Sequence, residues 1–211
     1  MMFAVRFLAG RLLPIFLLGI SLLTVGCATS PATLTVRSHE RKISYAQTFS
    51  QAFASQTEDG THEFVLVSDD AVKCPTDQAG APLQPVRKTP LRQVVYIRVL
   101  WQPLNGVERG VAKNASLDWF VFANTTTASN DLLKYQGSAF ATLKPARGGE
   151  AMTVTVRDGQ LTPHAARGAL TDPVGPARIE GRFTAVKNPH RVQELLAAAR
   201  ARTAEASAAA R

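Results

Sequence analysis

After residue 90 the chain alternates apolar and polar positions with a period of two. Ser116 to Asn124 places Leu117, Trp119, Val121 and Ala123 on one face, and Leu133 to Leu143 does the same with Tyr135, Gly137, Ala139 and Ala141. Met152, Val154 and Val156 alternate with Thr153, Thr155 and Arg157, and Ile179, Gly181, Phe183 and Ala185 alternate with Arg178, Glu180, Arg182 and Thr184. That period belongs to strands with one buried face, and Gln93 to Trp101, rich in Val, Ile and Tyr, fits the same class. Gly148-Gly149 opens a hairpin after Pro145, and Asp158-Gly159 marks a further turn. No stretch of crossover-helix length separates these strands, so they predict an antiparallel meander or sandwich.

The first part of the chain is less regular. Thr33 to Arg37 reads as a short strand, and Phe64-Val65-Leu66-Val67, after the turn Glu58-Asp59-Gly60, reads as a strand buried on both faces. Over Ser44 to Ser55 a strand template puts Gln47 and Gln51 on the apolar face. A helical template gathers Tyr45, Ala46, Phe49, Ala52 and Phe53 into one stripe with Ser44 as a cap, so the pattern predicts a helix. From 69 to 90 Pro75, Pro82, Pro85 and Pro90 interrupt a polar stretch without periodicity, the pattern of a long loop. At the other end Asn188 and Pro189 match a cap and first helical residue, and Val192, Leu195, Leu196 and Ala199 form one stripe. Beyond Arg200 only small or polar residues follow, so 200–211 is a frayed helical extension or a disordered end.

With 211 residues, 45% of them hydrophobic and 19% charged, the chain can bury one ordinary core. Collagen-like, coiled-coil and wholly disordered classes are excluded. The expected fold class is α+β: mainly antiparallel β, with one helix near the N-terminus and one C-terminal helix, in a single domain over 34–199.

Arg6 and Arg11 precede the apolar run Leu12 to Leu23, the layout of an export signal. The run ends in Leu23-Thr24-Val25-Gly26-Cys27, where small residues admit a peptidase and the thiol is available for acylation. This resembles the lipobox of bacterial lipoproteins, with Thr24 at the position usually held by leucine. The resemblance covers the first thirty or so residues. It implies a signal peptide over 1–26, lipid on Cys27, a tether over 27–33, and, since Ala28 rather than Asp follows the cysteine, release to the outer membrane of a diderm bacterium. A retained membrane helix and an ordinary secretory cleavage are the other readings. Only fifteen residues separate Arg11 from Cys27, short of the roughly 20 needed to span a bilayer.

Cleavage before Cys27 removes two of the 24 basic residues and none of the 16 acidic ones, leaving a basic mature chain. For an exported domain, anionic neighbours are lipid head groups, lipopolysaccharide phosphates or wall carboxylates, and nucleic acid is not expected. Cys74 has no intramolecular partner if Cys27 is acylated, and is then buried or free to pair with another chain.

Motifs for chemistry are sparse. His39, His62, His164 and His190 stand in separate segments without HExxH spacing and read as surface or loop-end residues. Asp69, Asp70 and Asp77 lack the glycine-spaced ligand loop of an EF-hand. Neither a nucleophile elbow, a P-loop nor a dinucleotide fingerprint occurs, so no metal, cofactor or catalytic residue is expected. The candidate partner-binding loop is the polar run from Asn124, Thr125 and Thr126 to Asn130 and Asp131, which can contact a glycan or protein or be a solvated hairpin. Asn124-Thr125-Thr126 and Asn114-Ala115-Ser116 are glycosylation sequons in form only. The functional expectation is a non-catalytic envelope lipoprotein that binds an envelope protein or an anionic envelope polymer. The alternative is a lipocalin-like carrier of a small apolar ligand. A sheet filled by Trp101, Trp119, Phe140 and Phe183 argues for the first, and a void lined by them for the second.

Overall fold

A computed structural model describes residues 31–68, 91–102, 113–123, 131–168 and 170–208. Among these residues nine strands form a mixed sheet: β1 (Ala32–Ser38), β2 (Ile43–Phe49), β3 (Gln51–Gln56), β4 (His62–Ser68), β5 (Leu91–Val99), β6 (Ala115–Ala123), β7 (Leu132–Pro145), β8 (Ala151–Arg167) and β9 (Ala177–Lys187). The helix α1 (Pro189–Ala208) follows.

From β3 to β9 each strand pairs antiparallel with the next through β4, β5, β6, β7 and β8. The last of them returns to the first, because Phe53 and Ala54 of β3 lie parallel to Val186 and Lys187 of β9. The pairing is therefore a closed ring, a barrel rather than an open sandwich. Further down the same edge of β9, Arg178 to Arg182 pair with Arg37 to Thr33 of β1, and β2 pairs with β1.

The expected helix over Ser44 to Ser55 is not formed; β2 and β3 occupy that stretch. The pattern misleads because the strand changes phase at Ser50. Before it Ile43, Gln47 and Phe49 are buried, and after it Ala52 and Ala54 are, with Phe53 turned to the opposite face. Two period-two runs offset by one residue imitate a helical stripe.

Alternation decides what fills the barrel. One contiguous apolar cluster takes Leu34 and Val36 from β1, Phe64 and Leu66 from β4, Ile97 from β5, Trp119 from β6, Tyr135 from β7 and Phe183 from β9. Large rings share this cluster with small residues such as Ala139, Ala141 and Ala185, the mixture of sizes that fills a narrow barrel. The residues of opposite phase on β4, β5 and β6 form a second cluster with α1. This explains why β4 is buried along its whole length.

Two aromatic expectations are corrected. Trp119 is a core residue at 2% exposure, but Trp101, just past β5, is 45% exposed and Phe140 is half-buried. His62 is buried too: it opens β4, with its ring stacked on Phe64. Asp158-Gly159 makes a bulge inside β8, not a hairpin turn, with Asp158 at φ 49° and the register to β9 shifting between Val156 and Gly159. The dipeptide supplies left-handed backbone equally well to a turn or a bulge. The turn at Gly148-Gly149 and the end of α1 capped by Asn188 and Pro189 agree with expectation. The proposed long loop over 69–90, and Cys74 within it, lie outside the described residues.

Polar clamps hold the described strands together near two ends of the barrel. At one, buried Asn114 donates from Nδ2 to the carbonyls of Trp101 (2.9 Å) and Ala141 (2.8 Å), while its Oδ1 accepts from the Ala141 amide (2.7 Å). At the other, the segment before β9 turns Leu170 and Val174 into the core. Asp172 holds that segment by accepting from the amides of Val174 and Gly175, each at 2.9 Å, and from the hydroxyl of Tyr135.

Between β7 and β8 the backbones approach where only glycine fits, since a Cβ on Gly137 would lie 1.7 Å from the carbonyl oxygen of Gln160. Gly137→Ala must therefore displace backbone. It is expected to lower stability by more than about 2 kcal/mol in urea unfolding, and a melt matching the parent would mean that the two strands are not this close.

Candidate functional site

Among the described residues a groove lies where α1 crosses the outer face of β5, β6 and β7. Asn188 starts the helix: its amide donates to the Ala54 carbonyl (2.8 Å), and its Oδ1 accepts from the Arg191 amide (3.0 Å). The first half of α1 then docks through Val192, Leu195, Leu196 and Ala199 onto Val65, Val67, Val94 and Tyr96.

The helix does not stop at Arg200. It continues to Ala208, with Ala206 buried and the guanidinium of Arg202 5.6 Å from the centre of the Phe122 ring. The separate tail over 200–211 is thus, as far as 208, a continuation of α1. Between these two contacts the side chains of Thr203 and Ala204 are small. Thr203, Ala204 and Ser207 stand opposite Tyr96 and Phe120, and the space between is a groove of about 310 Å³, at the lower end of the range for small-molecule sites.

The groove has an apolar floor and charged ends. Phe120 stacks on Phe122, with ring centres 6.0 Å apart, and Leu196 and Ala199 form the near wall. The hydroxyls of Thr203 and Ser207 donate back to the carbonyls of Ala199 and Thr203, both at 2.8 Å, which reduces their polarity toward the groove. Asp118 is matched within the fold: Lys134 Nζ lies 3.2 Å from its Oδ1, and Gln136 Nε2 donates to the same oxygen at 2.8 Å. That ammonium also sits 5.2 Å above the Phe120 ring. Arg200, exposed on α1, is the other cation at the rim.

Behind the groove a buried carboxylate ties the helix to three strands. Glu63 of β4 is 7% exposed and accepts from Tyr96 Oη (2.6 Å), Ser55 Oγ (3.1 Å) and Gln193 Nε2 (3.3 Å). A carboxylate out of water is tolerated when several donors replace its hydration. Nothing in the local sequence marks Glu63, since its partners come from β3, β5 and α1.

Of the residues singled out by sequence, Cys27, Asn124, Thr125, Thr126 and Asn130 lie outside the described residues. Asp131 lies beside Gly168, at the far end of the pair β7 and β8, where a Cβ on that glycine would touch its carboxylate. The structure does not bring Asp131 to the groove. Among the described residues no three His, Cys, Asp or Glu side chains converge as metal ligands. No protein-family model, characterised protein or solved structure matches the chain, so geometry and sequence carry the functional argument.

All three tyrosines are held neutral by the fold. Burial raises Tyr45, Tyr96 and Tyr135 above the ordinary phenol value, and the second cause is the Asp172 charge for Tyr45, the bond to Glu63 for Tyr96 and the bond to Asp172 for Tyr135. A phenol raised in the folded state stabilises it fully below the unfolded pKa of about 10, and that contribution is lost as pH rises further. In an alkaline titration, tyrosinate absorbance should therefore appear together with loss of the β circular dichroism. Three phenols ionising near pH 10 in an intact fold would contradict the burial. Tyr96→Phe, which removes the shortest donor to Glu63, should cost about 1–3 kcal/mol of stability in denaturant unfolding.

Proposed function

We propose that the protein is a non-catalytic lipoprotein of the bacterial cell envelope, anchored through lipid on Cys27, whose barrel binds an envelope protein or an anionic envelope polymer on its outer surface. The observation that carries the binding role is the division between inside and outside. The barrel interior is occupied by one apolar cluster that includes Trp119 and Phe183, while the groove under α1 is open at the surface and edged by Lys134 and Arg200. Recognition by this domain is then a matter of its exterior. The basic balance of the chain favours an anionic partner.

The lipocalin-like carrier is the second reading, favoured by the closure of the strands into a ring. It requires a ligand among interior residues that, within the described part of the chain, pack against one another as one cluster, so a ligand would have to part them. The exterior reading needs no such change.

The anchor is tested in cells. With a radiolabelled or alkyne-tagged palmitate, the parent chain should take label and fractionate with the outer membrane. Cys27→Ser should lose the label and accumulate with its signal uncut. Label retained in the variant, or an unlabelled parent processed to a soluble form, would remove the lipoprotein reading.

A further inference from the structure

The groove beside α1 has a chemistry more specific than a general binding face, and we propose that it holds the chain of a single-chain anionic amphiphile, a fatty-acid-like molecule, with the acidic head at Arg200. The proposal rests on the exterior binding role above but not on the lipid anchor. The floor of the groove is apolar. Phe120 of β6 and Leu196 of α1 are buried side chains that nonetheless line the groove, where Ala199, Thr203, Ala204 and Ser207 of the helix are all small. A narrow apolar trench covered on one side by a helix suits an alkyl chain, which removes floor area from water without asking for a hydrogen bond.

The rim of the groove is charged. Of the groups lining the groove, Asp118 already accepts from Lys134 and Gln136, so the fold itself supplies the counter-charge to that carboxylate. The Arg200 guanidinium then remains as an exposed donor fork at the rim, the cation of the groove lining that Asp118 does not match. A guanidinium binds carboxylate or phosphate with two parallel donors. A neutral chain such as an alcohol would fill the trench but leave that donor set unused, which is the distinction the proposal makes.

Isolated membranes carrying the full chain can be treated with a diazirine-bearing fatty acid, irradiated, and the adducts mapped by peptide mass spectrometry. The diazirine fatty alcohol and the alkyl phosphate of the same length serve as parallel probes. The acid and the phosphate should both label α1 between Leu196 and Ser207 or β6 around Phe120, and the alcohol on the order of tenfold less, the difference that a charge-assisted pair supplies. Arg200→Glu, an exposed change, should bring labelling by the acid down to that of the alcohol. Ala204→Trp, which fills the trench, should abolish labelling by all three, and the melting temperature of each variant shows that it has folded. Equal labelling by acid and alcohol in the parent, or acid labelling indifferent to Arg200→Glu, would overturn the anionic preference and with it the proposal. Adducts on Trp119 or Phe183 would place the chain inside the barrel and also overturn it. Labelling of the phosphate alone would reassign the head to a phospholipid-type group and reject the fatty acid. Palmitate incorporation at Cys27 is read from a different peptide, so loss of the anchor and loss of the groove are separate results.

Discussion

Strand β9 has two edges, and the molecule depends on both being occupied. Along one it pairs with β8 over most of its length; along the other it is shared, first by β1 and then by β3. The shared edge is possible because the chain bends at Ser50, where β2 leaves off and β3 begins. The phase change there sends Phe49 inward and Phe53 outward, so the same chain serves the barrel interior before the bend and the helix-covered face after it. An open sheet with these strands would leave the amides of β3 and β9 exposed as edges, which invite pairing with other chains. Closure removes that liability with only two parallel residue pairs, and the bond from Asn188 to Ala54 continues it into the start of α1.

The helix follows from the closure. Covering β3 and β4 on the outside makes β4 a strand buried on both faces, and it leaves Glu63 only 7% exposed. Such a carboxylate is costly unless its donors are all supplied, and here they come from β3, β5 and α1 at once. The network therefore registers the helix against the barrel: a slide of α1 by one turn would withdraw Gln193 from Glu63 and move Leu195 off its seat. Apolar packing gives the helix its affinity for the sheet, and the buried carboxylate gives it its position.

Much of this fold is written in local pattern. The alternation in β6, β7 and β9, the doubly buried β4, and the capped helix with Val192, Leu195 and Leu196 on one stripe all follow from residues near one another in sequence. What escaped were features set by distant contacts. The two offset runs on either side of Ser50 look helical until β1, β4 and β9 supply their partners. Asp158-Gly159 reads as a turn because a bulge needs the same backbone, and only the continued pairing of β8 distinguishes them. Trp101 looks like a core residue by type, yet it lies one step beyond the last ladder bond of β5 and is left outside. Glu63 and Asn114 matter through partners remote in sequence. The groove itself is a property of spacing between α1 and β6, and an alanine-rich helix end signals low burial without saying that a cleft results.

That low burial has a thermodynamic consequence for α1. Its first half is fixed by Val192, Leu195 and Leu196, each a large side chain removed from water, and by the bond from Gln193 to Glu63. Its second half is held by the methyl of Ala206, at about 0.8 kcal/mol for one buried carbon, and by the approach of Arg202 to Phe122, at about 0.5–1 kcal/mol for an exposed pair. The free energy that keeps the distal turns against the sheet is thus a small part of what keeps the proximal turns there. Segments with so little buried area sit at the low-stability end of a folded protein, which is where ligand-binding elements are drawn from. The helix is thus divided along its length, firm where it meets the carboxylate and light where it roofs the groove, and the distal turns can move without loosening the barrel.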